Sequence, residues 1–395
     1  MKIVVFTDAF LPQINGVVSY IIDIANELVS KGHKVVVFAP KPKRGVKISP
    51  KDFSFKIVFL PSLPTFLYPD VRMTIPALPK ILLYLRKFGA DVIHVQDPLT
   101  VGTEGLTAGK ILNIPTVITF HTFFMDEEML KILKIRKKVV DLINNPLWKL
   151  TVYYHNLADV VICPSEIARE ELVLHGLKVP IKVIHNGINL SKIKILSKNA
   201  RAKKRQKLGV FPNDKLAIFV GRISVDKSIE VLIKAFKKVA DKIKESKLLL
   251  VGDGPDMGRL RKLVEDLNLS DTVFFLGRLP RESIIQGGIL SIADVFVTAS
   301  KIENQSIAIL EALASGLPII GVNMRGNPEL VDDKTGILVE ADNEQKLAEA
   351  IVEFFSNDKL AGILKRGAIS TSKKYDLSES VSLLEKTYQS LISQK

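Results

Sequence analysis

Short, continuous apolar runs recur along this chain with segments of helical periodicity between them. That alternation limits the folds open to it more than any other feature. KIVVFTD (Lys2–Asp8) is the first run, unbroken and ending in polar residues, as a parallel strand buried on both faces requires. A loop holding Pro12, Asn15 and Gly16 comes next, then Val18, Ile21, Ile22, Ala25 and Leu28 at helical spacing, a stop at Gly32, and a second strand in HKVVVFAP. Strand, glycine turn, helix, strand is one right-handed crossover unit, with a ligand expected at the strand's carboxyl end. FKIVFLP, ADVIHV, PTVITF, DVVIC and IKVI continue the series to Ile184, separated by helical patterns over Ala77–Phe88, Thr100–Leu112, Glu127–Leu157 and Glu166–His175. KLAIFV, KLLLVG, TVFFLG, DVFVT, PIIGV and GILVE repeat the architecture in the second half, and the pattern is helical from Glu344 onward. The expected fold is α/β, with two doubly wound, Rossmann-like domains.

A length of 395 residues accommodates two domains of ordinary size. The expected division is an N-terminal domain over residues 1–190, a C-terminal domain over 191–375, and a final helix over 376–395 that packs back on the first domain. Cys163 is the only cysteine, so no internal disulfide forms, and its place at the end of DVVIC reads as strand packing. The start, MKIVVFTDAFLP, lacks the pattern of a signal peptide, and no run of 18 apolar residues appears. A cytoplasmic location is expected, with contact at the inner face of the cell membrane. The net charge is +14, with 23 basic against 16 acidic groups in residues 1–190 and 33 against 26 in 191–395, so neither half owns the excess. Such a surface attracts polyanions: nucleic acid, acidic headgroups or phosphorylated substrates. No nucleic-acid-binding motif accompanies it, so a nucleic-acid partner is not expected. Ser191–Leu208 holds eight Lys or Arg and no acid, which reads as a solvated connecting helix or as a polyanion contact.

The chemistry concentrates in Ser300–Pro318, SKIENQSIAILEALASGLP. Polar turn formers give way to a helical pattern in which Ile307, Leu310, Glu311 and Ala314 share one face, with Gly316 and Pro318 ending it. A glutamate among Ala, Ile and Leu needs something to accept it. A carboxylate can take the two adjacent hydroxyls of a ribose, and Glu303 in the preceding loop could take a second set of hydroxyls. GRISVDK places Arg222 and Lys227 after a strand ending in Gly221, a forked donor and a point charge suited to a diphosphate. VGDGP is a glycine turn after another strand but lacks the GxGxxG spacing, which argues against a dinucleotide enzyme. GNPEL can open a short helix whose amides would receive phosphate. His94 and His121 fall at strand ends; His121, in TFHTFF, is the better placed to meet a sugar hydroxyl. No metal-binding spacing accompanies either histidine, and no metal or other cofactor is expected.

These pieces, in this order, resemble the retaining glycosyltransferases of family four, which have the GT-B fold. GR-x4-K, VGDGP, the Glu303/Glu311 pair in S-x2-E-x7-EA-x-A-x-G-x-P and GNPELV carry the likeness, with FTDAFLPQINGV, HV-x-DP and FHT in the first half. The resemblance implies two domains facing across a cleft and transfer of a hexose from a nucleotide-diphosphate sugar with retention and without a metal. Arg222 and Lys227 would hold the donor diphosphate and Glu311 the ribose. Gly252 and the loop of Glu303, Asn304, Gln305, Ser306 and Ile307 would complete the donor site. His121 would lie at the transferred sugar, and Gly16 would form a phosphate-facing loop. Ser306 and Ser228 stand where the family commonly has glycine, and His185 replaces a frequent proline. Similarity to lipid-modifying members, the charge, and a basic amphipathic pattern over Glu127–Leu150 with Trp148 nearby suggest a lipid acceptor such as diacylglycerol or a phosphoinositide at an anionic membrane. The same helix also reads as an ordinary core-facing one. A non-catalytic nucleotide-sugar-binding protein and an NAD-dependent enzyme are the competing readings.

Overall fold

A computed structural model describes residues 1–13, 15–46, 48–64, 72–123 and 137–395, with the side chains of Pro50 and of 137–143 not described. The chain divides into two compact units. The described residues of Met1–Met125, Arg136–Gly187 and Leu377–Lys395 form the first, and Ile188–Asp376 the second.

The strands of the first unit are β1 (Lys2–Phe6), β2 (Lys34–Pro40), β3 (Lys56–Leu60), β4 (Ser62–Pro64), β5 (Arg72–Thr74), β6 (Val92–Val95), β7 (Thr116–Thr119), β8 (Val160–Cys163) and β9 (Ile181–Val183). Seven of them make one parallel sheet in the order β3-β2-β1-β6-β7-β8-β9, while β4 and β5 pair separately and antiparallel. Burial on both faces explains the unbroken apolar sequences: β6, β7 and β8 have no exposed residue. One face carries Ile21, Ile24 and Leu28 of the Gly16–Ser30 helix, the other Ile81, Leu85 and Leu106 of the next two helices. Cys163 lies in this core, where burial pushes its thiol up to about 12.

The second unit holds β10 (Lys215–Val220), β11 (Ser246–Val251), β12 (Val273–Gly277), β13 (Val295–Val297), β14 (Ile319–Val322) and β15 (Gly336–Val339), in the order β12-β11-β10-β13-β14-β15. In both sheets the order reverses beside the unit's first strand, between β1 and β6 and between β10 and β13. At such a switch point the flanking helices leave to opposite faces and open a crevice at the carboxyl ends.

The Leu377–Ile392 helix belongs to the first unit. Val381, Leu384 and Tyr388 are fully buried there with Tyr20 and Ile21. Glu385 receives His33 at 2.6 Å and Lys31 at 3.1 Å. Tyr388 Oη lies 2.7 Å from His94 Nδ1, whose Nε2 lies 2.7 Å from Thr119 Oγ1. His94 is therefore a clasp between sheet and terminal helix.

Two sequence expectations need correction. The basic segment is not simply solvated: in the Lys198–Lys207 helix, Arg205 is 5% exposed. Arg201 and Arg205 reach Asp294 at 2.7 and 3.4 Å. Asp294, at the start of β13, is desolvated there, and the two guanidiniums with the Leu216 amide more than offset that burial and hold its pKa below the usual carboxylate range. Trp148 is buried, stacked on His175 with centroids 3.9 Å apart, so it is not available to a membrane. The basic positions of that expected face up to Arg136 lie outside the described residues. Among the described residues no helix is long and apolar enough to cross a membrane.

Candidate active site

The second unit's site is built on the loops at the carboxyl ends of its strands. Gly221, after β10, donates to Val251 O at 3.0 Å, and Ile223 donates to Asp253 O at 3.0 Å, so the loops after β10 and β11 continue the ladder as a pair. Their contact explains the glycines. A Cβ on Gly252, whose φ is +145°, would lie 1.8 Å from Gly221 O, and one on Gly254 would lie 2.2 Å from Ile223 O.

This paired support carries the cations. Arg222 precedes a single 3-10 turn, Val225–Lys227, that carries Lys227, and Ser228 then takes a left-handed conformation at φ +49° to start the Ile229–Lys242 helix. Arg222 Nη2 donates to both oxygens of Asp226, at 3.1 and 3.0 Å. Lys227 Nζ donates to Glu303 Oε1 at 2.6 Å and stands 3.8 Å from Asp226. Burial works against Lys227's charge, but Glu303 and Asp226 outweigh it and raise its pKa, so the ammonium is charged at neutral pH. Burial likewise disfavours the Asp226 carboxylate, but Lys227 and Arg222 hold it below its ordinary range.

Glu303 sits in the loop after β13, across the switch point from Arg222 and Lys227. Gly326 N–H donates to Glu303 O at 2.9 Å, and a Cβ there would fall 1.6 Å from Asn304 O. GNPELV thus seats the Glu303 loop, and its helix, Asn327–Leu330, spans only four residues. Asn327 Nδ2 donates to Ser300 O at 3.2 Å and Val322 O at 3.0 Å, tying the loops after β13 and β14. Asn304 and Gln305 are each 6% exposed, Ser306 precedes the Ile307–Ala314 helix in extended backbone, and Ile307 is buried. Glu311, inside that helix, is 5% exposed. Arg281 meets Glu311 Oε1 with Nε and Nη2, each at 2.7 Å. The sequence signalled that Glu311 needed a partner but did not name this one, because Arg281 lies thirty positions upstream.

Gly16 and His121 belong to the first unit. Gly16 is exposed at the start of its helix, where Asn15 Oδ1 accepts from Val18 N at 2.9 Å. His121 lies just past β7 and is 8% exposed, with Nε2 2.7 Å from Gln96 Oε1 and its ring edge-on to Tyr20. Burial lowers its pKa to about 3, so the ring is neutral where Nε2 meets Gln96. Asp8, at the end of β1, was not singled out in the sequence. Its carboxylate accepts from the amides of Thr100, Val101 and Gly102 at 2.9, 2.8 and 3.0 Å, capping the Thr100–Leu112 helix. Burial, joined by the charge of Asp8, pushes the neighbouring Asp97 well above the carboxylate range.

Comparison with known proteins matches both units. Residues 14–192 match the family model described as Glycosyltransferase Family 4, and residues 200–371 match Glycosyl transferases group 1. An alpha-monoglucosyldiacylglycerol synthase of Streptococcus pneumoniae is 33% identical over 363 residues, which is 89% of this chain and 78% of that protein. The synthase of the same name from Acholeplasma laidlawii is 29% identical over 95% of this chain and 93% of its own length. Among solved structures, the Anabaena protein HepE in complex with UDP superposes with a TM-score of 0.79 at 21% identity, covering 99% of this chain and 100% of that one. With the fold, the order of the motifs and both matches in agreement, this chain belongs to the family 4, group 1 glycosyltransferases, enzymes of the GT-B fold.

Proposed function

We propose that this enzyme transfers a hexose from a nucleotide-diphosphate sugar to a lipid hydroxyl, with diacylglycerol as acceptor, retention at the anomeric carbon and no metal ion. The observation that carries this reading is the Lys227–Glu303 contact spanning the switch point of the second sheet, with Arg222 beside it. Two cations held by carboxylates form a preorganised anion site. An arriving diphosphate takes over Arg222 and Lys227, and Glu303 is released to accept hydroxyl hydrogens of the sugar. Gly252 and the loop of Asn304, Gln305, Ser306 and Ile307 line the donor. Glu311, held in place by Arg281, receives the ribose hydroxyls. As the C1–O bond to the diphosphate breaks, negative charge grows on the leaving oxygen, and the two fixed cations stabilise it without solvent reorganisation. The acceptor hydroxyl attacks C1 from the same face and its proton passes to the departing phosphate. On the acceptor side, His121 and the exposed backbone of Gly16 serve the incoming hydroxyl.

The lipid acceptor is supported by the two glucosyldiacylglycerol synthases among the relatives and by a net charge of +14, which favours attachment to an anionic membrane surface. UDP-glucose is our first choice of donor and GDP-mannose the second. Purified enzyme, EDTA, each donor in turn and detergent-dispersed diacylglycerol test this directly. We expect a hexosyl-diacylglycerol by mass spectrometry, with an α linkage by NMR from an α-linked donor. Inverted product, dependence on added divalent ion, or transfer only to a soluble sugar would each overturn the corresponding part.

A further inference from the structure

The antiparallel β4–β5 pair of the first unit turns large apolar side chains outward. Ser62 pairs with Thr74, Leu63 with Met73 and Pro64 with Arg72. Alternation puts Leu63 and Met73 side by side on one face. That face is the outer one: Leu63 is 60% and Met73 55% exposed, while Thr74, on the other face, is 7% exposed. Ile75, next along, is 47% exposed. Hydrogen bonds tie the two strands in this attitude. Ser62 Oγ donates to Lys41 O at 2.6 Å, Arg72 Nε and Nη2 donate to Ser62 Oγ and O at 2.8 and 2.7 Å, and Thr74 Oγ1 donates to Thr100 Oγ1 at 3.0 Å.

Beside the hairpin lies a cavity of about 970 Å³ at the carboxyl ends of β2 and β3. Among the described residues Lys41, Lys43, Arg44 and Arg72 line it with one acid, Asp52, and with Phe59. Among the described residues none of these four cations is paired with a carboxylate. A cationic hollow next to a pinned, outward-facing pair of large apolar side chains matches the layering of an anionic bilayer, phosphate above acyl chain.

We propose that this face is the membrane-docking surface, with Leu63 and Met73 entering the acyl boundary of an anionic bilayer and the cationic hollow holding a phosphodiester headgroup. The inference rests on the lipid-acceptor reading and supplies a surface for it in place of the Trp148 face. The test is sedimentation with phosphatidylcholine vesicles, with and without phosphatidylglycerol, at low and high salt. It compares the wild type, Lys43→Gln/Arg44→Gln and Leu63→Ser/Met73→Ser. Turnover on detergent-dispersed diacylglycerol is measured in parallel and should stay within about twofold, since none of the four residues belongs to the reaction site.

Neutralising two cations should weaken partitioning onto anionic vesicles roughly 25-fold at low salt, about fivefold for each charge, and leave neutral vesicles unaffected. The apolar double variant should lose roughly tenfold or more on anionic vesicles at either salt. Wild-type protein that ignores anionic vesicles, variants that bind as the wild type does, or a hairpin that instead joins two copies in solution would each overturn the proposal. Loss of transfer to dispersed diacylglycerol in the wild type would sink the acceptor reading, whatever the vesicles show.

Discussion

Replacing Glu303 by Gln should uncouple nucleotide binding from sugar transfer. Lys227 Nζ donates to Glu303 Oε1 at 2.6 Å, so a diphosphate must displace a carboxylate before it gains the ammonium. A unit pair at that distance interacts by about 6 kcal/mol at an effective dielectric constant of about 20. Only 21% and 17% of the two side chains are exposed, yet their desolvation and residual screening offset most of that. About 1–2 kcal/mol of net competition remains. Glutamine keeps the shape and removes the charge, so free UDP or GDP, whichever the wild type binds, should bind about 5- to 30-fold more tightly. Turnover should nevertheless fall about 10- to 100-fold, the range for losing a hydrogen bond to a charged acceptor. Isothermal titration with the nucleoside diphosphate and a coupled transfer assay read the two effects separately, and Lys227→Ala serves as the control that loses both. A Glu303→Gln enzyme whose nucleotide affinity is unchanged or weaker would refute the idea that Glu303 holds the diphosphate cation in reserve.

Ser228→Gly should stabilise the second unit by about 0.5–1 kcal/mol, since the native φ of +49° costs a serine what it does not cost glycine. Urea unfolding measures the shift. Tyr388→Phe leaves His94 Nδ1 without its partner at 2.7 Å and should cost about 1–3 kcal/mol, appearing first as faster amide exchange in the Leu377–Ile392 helix. Burial lowers His155 to about 4 against an unfolded value near 6.5, so its stabilising contribution is complete above that unfolded value and is lost as pH falls toward the folded one. His155→Gln should therefore flatten the acid limb of stability against pH by about 1.4 kcal/mol per pH unit between those values. Taking the difference from wild type cancels the opposing influence of Asp8 and Asp97, whose carboxyls are raised.

The parallel strands were legible because burial on both faces forces a continuous apolar run, and neither a helix nor a half-exposed strand writes that pattern between glycine turns. β4 and β5 were not, since three residues are too few for a period to register and Pro64 argues against a strand. The basic segment misled for a different reason. A charge run defaults to solvent, and Arg205 is turned inward by Asp294, 89 positions away. The residues that the second unit brings together at its strand ends could be picked out by their chemistry: a glutamate among aliphatics, cations after a glycine turn. Their partners could not. Asp226 lies one turn from Arg222 and could have been read from spacing, whereas Arg281 meets Glu311 only through the fold.

The two switch points show how one architecture is set to different chemistry by the loops at its strand ends. After β10 and β13 the second unit places Arg222, Lys227 and their carboxylate partners, charges that an anionic ligand can exchange into. After β1 and β6 the first unit places Asp8, already committed to a helix N-terminus, and Asp97, driven toward its neutral form by burial and by Asp8. His121, beside Gln96 at the end of the adjacent β7, is also held neutral. Asp8, Asp97 and His121 give an anion entering that second kind of crevice no positive charge to exchange into. On the proposed reading the loops of each sheet separately set one unit for the charged donor and the other for the hydroxyl acceptor. Asp97→Lys should then add an anion site to the first unit without adding a second donor site, read by isothermal titration as an extra phosphate-binding event but no extra nucleotide-sugar binding.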